Sequence, residues 1–463
     1  MRHPPEIAIL GHPNEGKSAV VSTLAEDDSV RVSPVPGETT TCRMFPVYID
    51  GVEVIRFTDT PGFQSPRQML KHLQADTGDP ATVFDRFSAD PLLATPFRDE
   101  IELLKPVLRG AGIIYVADGS RPVRHADRAE MEILRMAGNP RMAVINLKSG
   151  DIDFSEDWKQ AFRQHFNVIR FFNAHTARFQ ERIALLDSLK VIDPDWEPLL
   201  SQVVTAVTED WTRRIHGAAD DMVRMLTQCL THKEITTFTD RRQKKIEQKH
   251  LFSAYTAAVR QIEEKALEKI RKRFRHRLYQ PALPEGSILQ DGLFDKQTWR
   301  LAGLTPAQVT ATAAVCGSAA GVAVDLATLG HSLGAFTAMG GILGAGAAWF
   351  KGEKLLKTKV AGLPIGGYRM VLGPHKNIQF LFVLLDRAMV YCSHIAAWSH
   401  GRRDYPDQPI LEAKGRVRDW SADDRKVCQD FFTALASKNS VQRAPATQAL
   451  KALIITKLTE LLS

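Results

Sequence analysis

The feature that most constrains this chain is an octapeptide near its start, Gly11-His12-Pro13-Asn14-Glu15-Gly16-Lys17-Ser18. It fits the pattern GxxxxGK[ST]. It also lies between a short apolar run at residues 6–10 and an apolar helical segment at residues 19–24, the strand-to-helix setting that gives the pattern meaning. The chemistry explains the spacing. Glycines let successive backbone N–H groups curl around a phosphate, and the helix N-terminus adds its dipole. The Lys17 ammonium can reach the terminal phosphates, and the Ser18 hydroxyl can ligate Mg2+. Gly11, Asn14, Glu15, Gly16, Lys17, Ser18 and Ala19 are the candidate phosphate contacts.

Such a turn needs a sheet to belong to. Residues 44–49 and 52–58 read as a strand pair joined at Asp50-Gly51, a strong hairpin signal. Further apolar runs at 113–117, 142–146 and 168–172 alternate with helical segments, which predicts a parallel sheet covered on both faces. Residues 64–109 are long for a connection and are expected to hold helices of their own. The second strand of the pair runs into Asp59-Thr60-Pro61-Gly62. An Asp at a strand end reaches Mg2+ through water, and Gly62 offers its amide to a γ-phosphate. Between the two motifs, the Thr-rich residues 36–41 can close over the metal as a switch that orders around the terminal phosphate.

On these motifs, the chain up to about residue 180, the size of one domain, resembles the Era-like branch of P-loop GTPases, the group that includes the TrmE, EngA and YihA families. The resemblance implies an α/β P-loop NTPase fold (a G domain), binding of GTP and GDP, Mg2+ as cofactor and slow hydrolysis to GDP and phosphate. It makes Thr39 the metal-ligating threonine, with Thr40 the alternative, beside Ser18 and Asp59. Asn14 matches an asparagine that in some members helps hold K+ beside the phosphates, in place of a catalytic arginine.

The pattern departs from the family twice. Phe63 follows Gly62 where Ras-type enzymes place a water-orienting glutamine. Hydrolysis is left to Gln64, a cation, a partner or dimerisation of the G domain. Where the family reads guanine with NKxD, this chain has Asn146-Leu147-Lys148-Ser149-Gly150-Asp151. Asn146 fits, but a neutral Ser149 cannot replace a bidentate carboxylate, a loss of roughly 1.5–3 kcal/mol. Lys148 and Asp151 substitute only if the loop bulges. Asn173, Ala174 and His175 stand in place of the family loop whose backbone N–H contacts guanine O6. GTP with weakened base discrimination is the expectation.

Beyond residue 193 the texture becomes helical, with long periodic segments at 196–230 and 240–278. A strand-like piece follows at 368–372, and helices at 378–399, 422–437 and 447–462. The expected domains are 1–190, a long basic helical region 191–300, an apolar hairpin 301–350 and a mostly helical remainder 351–463. Residues 1–190 carry 23 Lys/Arg against 26 Asp/Glu, and residues 191–463 carry 37 against 27. The basic excess peaks in helix 241–277, with thirteen Lys/Arg and four acids. Such a face suits a polyanion, whether membrane lipid or nucleic acid, although cations also simply favour a helix C-terminus. Residues 301–350 hold one formal charge, Asp325, and GxxxG spacings from Gly317, Gly330 and Gly340. With lysines at 351, 354, 357 and 359 beyond them, they read either as a membrane hairpin or as a tightly packed soluble helix pair.

This layout resembles bacterial proteins that append a helical domain of unknown function to an Era-like G domain. Five scattered cysteines argue against a disulfide framework. Residues 1–6 lack an apolar signal core, so a cytoplasmic location is expected, at the cytoplasmic membrane if the hairpin inserts. The first functional expectation is a membrane-associated nucleotide switch. The alternatives are an RNA- or ribosome-associated assembly GTPase and a nucleotide-dependent scaffold with little hydrolysis.

Overall fold

The computed structural model describes residues 4–30, 39–147, 153–192, 194–276, 353–354, 358–360, 363–365, 368–375, 378–401, 417–437 and 440–462. The apolar tract 301–350, and Lys148 and Asp151, lie outside these residues.

The described chain falls into two compact units. The first comprises residues 1–213 together with 275–280 and 396–405. Its centre is a six-stranded sheet in the order β2-β3-β1-β4-β5-β6. The strands are β1 (Glu6–Leu10), β2 (Arg43–Ile49), β3 (Val52–Asp59), β4 (Gly112–Asp118), β5 (Arg141–Asn146) and β6 (Val168–Phe171). Only β2 runs antiparallel to its neighbour; β3, β1, β4, β5 and β6 are mutually parallel. The β2–β3 hairpin turns at Asp50 and Gly51, both at positive φ (52° and 79°), the backbone that Asp-Gly favours.

The central strands are apolar without alternation because both faces are covered. All seven residues of β4 are buried, and Ile7, Ile9, Ile114, Val116 and Val144 serve one face while Ala8, Leu10, Ile113, Tyr115 and Ile145 serve the other. Helix α1 (Lys17–Ala25) packs on the first face, with Val20, Val21 and Leu24 in the core. Residues 64–109 do hold helices, α2 (Pro66–Ala75), α3 (Val83–Ala89) and α4 (Arg98–Leu108), on the second face. Helices α5 (His125–Ala137), α6 (Ser155–Phe162) and α7 (Phe179–Leu189) complete the layers. The connection leaving β1 covers one face of the sheet through α1, and that leaving β3 covers the other through α2, α3 and α4, so the two diverge at neighbouring strand ends. That opens a crevice at the strand C-termini where ligands bind in such sheets.

The second unit is mostly helical. Helix α8 (Glu197–Thr231) enters it at Arg214, followed by β7 (Glu234–Phe238) and α9 (Lys244–Arg273). The sequence did not signal β7, a half-exposed Thr-rich strand. It pairs antiparallel along its whole length with a later strand, Tyr368–Leu372, which in turn pairs with Glu353–Lys354. Counting these short strands and Thr358–Val360 with Leu363–Ile365 in chain order, Tyr368–Leu372 is β11. Helix α9 buries one stripe, Leu251, Tyr255, Val259, Glu263, Ala266 and Ile270, and leaves its cations outside. The buried Glu263 in that stripe accepts two bonds from Arg387, at 2.5 and 3.2 Å, on α10 (Ile378–Ala397).

Among the described residues α10 alone is long and apolar enough to cross a membrane, yet 78% of its most apolar stretch is buried inside the protein. It is a core helix here, tied by Arg387 to α9 and by the Asp386 carboxylate to the Val417 amide at 3.1 Å. Helices α11 (Ala422–Ala436) and α12 (Arg443–Leu462) pack together, the latter through Leu450, Ile454 and Leu458 at four-residue spacing. Part of the basic excess at the end of α9 is engaged within the chain. Lys272 pairs with Glu268 at 2.7 Å and Arg273 with Asp221 at 2.5 Å. In the first unit, Arg275 pairs with Glu26 and Asp210 at 3.2 and 3.0 Å.

Candidate phosphate-binding site

Strand β1 ends at Leu10, and the octapeptide turns over the sheet edge into α1. Gly16 occupies the N-cap of α1 at φ 92°, and a Cβ there would meet the Asn146 amide nitrogen at 2.3 Å. Glycine is required at that point by both backbone and space. Asn14 is the exposed corner of the loop, at φ 66°, a left-handed conformation that Asn tolerates. Lys17 is buried, and its Nζ donates to the His12 carbonyl at 2.8 Å, which folds the ammonium over the loop. Ala19 is buried on the core side.

Asp59, at the end of β3, faces the start of α1. Its Oδ2 accepts from Ser18 Oγ at 2.8 Å and from Thr39 Oγ1 at 3.4 Å. Its Oδ1 is buried and has no hydrogen-bond partner among the described residues. Burial pushes this carboxyl up, against the Ser18 hydrogen bond and the nearby Lys17 charge. An orphaned anionic oxygen beside two hydroxyls suits a hard divalent cation, which takes oxygen ligands directly or through water. Ser18, Thr39 and Asp59, which sequence spacing singled out separately, are thus brought together, and the donor set fits Mg2+. Thr40 is exposed.

Downstream of Asp59, Gly62 and Phe63 are buried, and the Phe63 ring joins the core with Met69, Leu73 and Phe84. A ring pointing inward leaves that position no contact with water at the site. Gln64 is exposed, its backbone N–H donating to Glu100 at 2.9 Å.

The loop is braced from below by a network that spacing did not reveal. The Glu15 side chain turns inward, accepting from the Asp118 amide and from Arg121 Nε at 2.7 Å. Arg121 also forks onto Asp127, both bonds 2.8 Å. His12 bonds the fully buried Glu130 at 2.8 Å, and Tyr115 donates to the same carboxylate at 2.9 Å. Asn146 is a brace too. Its amide donates to the Glu15 carbonyl at 2.9 Å while its Oδ1 accepts from the Ala174 N–H at 3.2 Å. Asn146 therefore joins the phosphate loop to Asn173-Ala174-His175. The His175 amide is taken by Asn173 Oδ1 at 2.9 Å.

At the far end of α1, three buried side chains from distant parts of the sequence converge. His400 Nδ1 lies 2.7 Å from Asp28 Oδ1 and His276 Nδ1 3.7 Å from it, and the two rings stack at 4.1 Å, 8° from parallel. Near-parallel rings cannot both aim an in-plane lone pair at one cation, so hydrogen bonding to Asp28 accounts for the cluster. Burial works to raise the Asp28 carboxyl, but the hydrogen bonds from both histidines override it and hold it well below the usual carboxylate range. His400 is pushed down to about 4, by burial first and by the neighbouring His276 second, against the opposing pull of Asp28 and Glu26.

Residues 6–146 match the family described as 50S ribosome-binding GTPase (MMR_HSR1), and residues 159–460 match a domain of unknown function, DUF3482. GTPase Der of Agathobacter rectalis is 36% identical over 166 residues, 36% of this chain and 32% of that protein. GTPase Der of Thermosipho melanesiensis is 22% identical over 216 residues, 45% of this chain and 44% of that protein. The chain thus spans less than half the length of these relatives. Among solved structures, Era in complex with MgGDPNP and nucleotides 1506-1542 of 16S ribosomal RNA aligns with 52% of this chain and 75% of its own, at 13% identity and a TM-score of 0.29.

The His400 cluster generates a pH prediction. Between about pH 4 and the ordinary histidine value near 6.5, the unfolded chain binds a proton that the native chain refuses. Stability from this group is therefore present above that window and lost as pH falls through it. Urea denaturation is expected to show about 2 kcal/mol less stability at pH 5 than at pH 7 from His400. His400→Gln is expected to flatten the curve by that amount; an unchanged pH slope in the variant would contradict the assignment.

Proposed function

Because the chain belongs to the DUF3482 family and carries a G domain at its N-terminus, we propose that it is a Mg2+-dependent guanine-nucleotide switch with slow intrinsic hydrolysis. The observation that carries this reading is the convergence of Ser18, Thr39 and the Asp59 carboxylate, whose Oδ1 has no hydrogen-bond partner among the described residues, beside Lys17 at the head of α1. Lys17 and the loop amides would hold the phosphates, and Ser18, Thr39 and Asp59 the metal. A bound Mg2+ would neutralise phosphate charge. The Gly62 amide would meet a γ-phosphate. After Gly62, Phe63 is buried in the core and Gln64 is exposed, so neither is a buried water-orienting group, which supports slow turnover and a role for K+ held with the help of Asn14.

The C-terminal tract is assigned a membrane role on its composition, with residues 301–350 as a hairpin and Asp325 near its turn, where the charge can stay hydrated; at mid-bilayer it would cost at least ~2.5 kcal/mol. The cytoplasmic face of the membrane is the corresponding location. A second reading, action at the ribosome, is favoured by the description of the family matched at residues 6–146.

Lys17→Ala is expected to abolish GTP binding by calorimetry, since the phosphate-facing ammonium is gone; full affinity in that variant would reject the site. Hydrolysis is expected to run faster in KCl than in NaCl, and Asn14→Ala to remove the difference while GTP still binds. Equal rates in the two salts for the wild type would move the catalytic role to Gln64 or a partner. Carbonate extraction of membranes is expected to leave the full-length protein in the pellet, whereas release at high pH and co-sedimentation with ribosomes would favour the second reading.

A further inference from the structure

Helix α1 carries the phosphate loop at one end and a distant piece of the chain at the other. The tripeptide Ser399-His400-Gly401 falls within the DUF3482 residues, yet it belongs to the first unit with the G domain. Both of its polar side chains, the His400 carbonyl and the Gly401 amide help to seat it. Ser22 Oγ donates to the His400 carbonyl at 2.8 Å, and His400 Nδ1 meets Asp28 at 2.7 Å. Ser399 Oγ lies 2.8 Å from Thr23 Oγ1, and the Gly401 amide donates to Thr23 Oγ1 at 3.1 Å. Ser22 and Thr23 follow Ser18 by four and five residues, a little over one helical turn.

The same tripeptide grips the other half of the candidate nucleotide site. The carbonyl of fully buried Ala174 accepts from Thr23 Oγ1 at 2.8 Å and from Ser399 Oγ. Its amide is held by Asn146, which also holds the phosphate loop at Glu15. Phosphate helix and base-side loop are thus joined three times, directly by Thr23, from the site by Asn146 and from behind by Ser399. There is no slack in the joint behind. A Cβ on Gly401 would meet the Ala19 carbonyl at 2.5 Å, Thr23 Oγ1 at 2.6 Å and the Ala174 carbonyl at 3.1 Å.

We propose that Ser399-His400-Gly401 is a positioning latch that fixes α1 against the Ala174 loop, and that its seating sets how fast a nucleoside diphosphate leaves and how sharply the base is discriminated. The inference rests on the guanine-nucleotide reading above. The DUF3482 domain thereby gains a handle on nucleotide exchange: displacing residues 399–401 loosens the base side while the phosphate loop keeps its own bonds. Linkage makes the coupling reciprocal, so bound nucleotide also holds the latch shut.

The test uses the full-length chain, Mg2+ and GDP carrying a fluorescent ribose label, chased with unlabelled GDP. Ser399→Ala removes one donor to the Ala174 carbonyl, and Gly401→Ala forces the tripeptide off α1. Both are expected to speed release by about tenfold, within the range of allosteric couplings, and to narrow the affinity ratio between GTP and xanthosine triphosphate. A merely structural role would lower the melting temperature and leave both readouts where they were. If Gly401→Ala does not fold, Ser399→Ala carries the test alone. Wild-type retention of GDP with unchanged release in Ser399→Ala overturns the latch and leaves the proposed function standing. Failure of the wild type to bind labelled GDP overturns both.

Discussion

Asp59 presents a physical problem that the first unit is arranged around. A carboxylate buried at a strand end, with one oxygen unpartnered, is costly in a low-dielectric interior unless a cation or further donors face it. The surroundings supply part of the answer, with Ser18, Thr39 and the Lys17 charge turned toward it. The sheet order brings them together: β3 delivers Asp59 beside β1, and β1 delivers Lys17 and Ser18 through the octapeptide. The Asn146, Glu15, Arg121 and Asp127 braces then support the loop from below.

Much of this was legible because it is local. Apolar runs signalled β1, β4, β5 and β6, and Asp50-Gly51 marked the β2–β3 hairpin. The phosphate loop and Asp59 follow from motif and spacing. What sequence order hid was contact across long separations. Nothing near Glu15 announces Arg121, and nothing near Asp28 announces His276 or His400, since those partners meet only once the chain has folded. Asn146 was legible as a motif residue, but its engagement with Glu15 and Ala174 required the packed site. Strand β7 escaped because its half-exposed face, Thr236 and Thr237 beside an exposed Ile235, lacks the apolar run that marks a buried strand.

The helical half shows how composition and environment part company. A helix as apolar as α10 meets the length requirement of a membrane span, yet it holds Asp386 and Arg387 in paired, buried positions, as a protein core can. The basic end of α9 has a comparable double aspect. Its charge excess suggests a polyanion, but Lys272, Arg273 and the following Arg275 each find carboxylates within the chain. Intrachain pairing of this kind narrows the cations left for a partner.

The proposed nucleotide site joins the phosphate loop, Asp59 and the Ala174 loop, with residues 399–401 in its frame. Hydrogen–deuterium exchange of the full chain, with and without Mg2+ and GDP, measures this most directly. Slowed exchange is expected in residues 11–18, in 173–175 and, although far away in sequence, in 399–401. Unchanged exchange in residues 11–18 at saturating GDP would contradict the site itself.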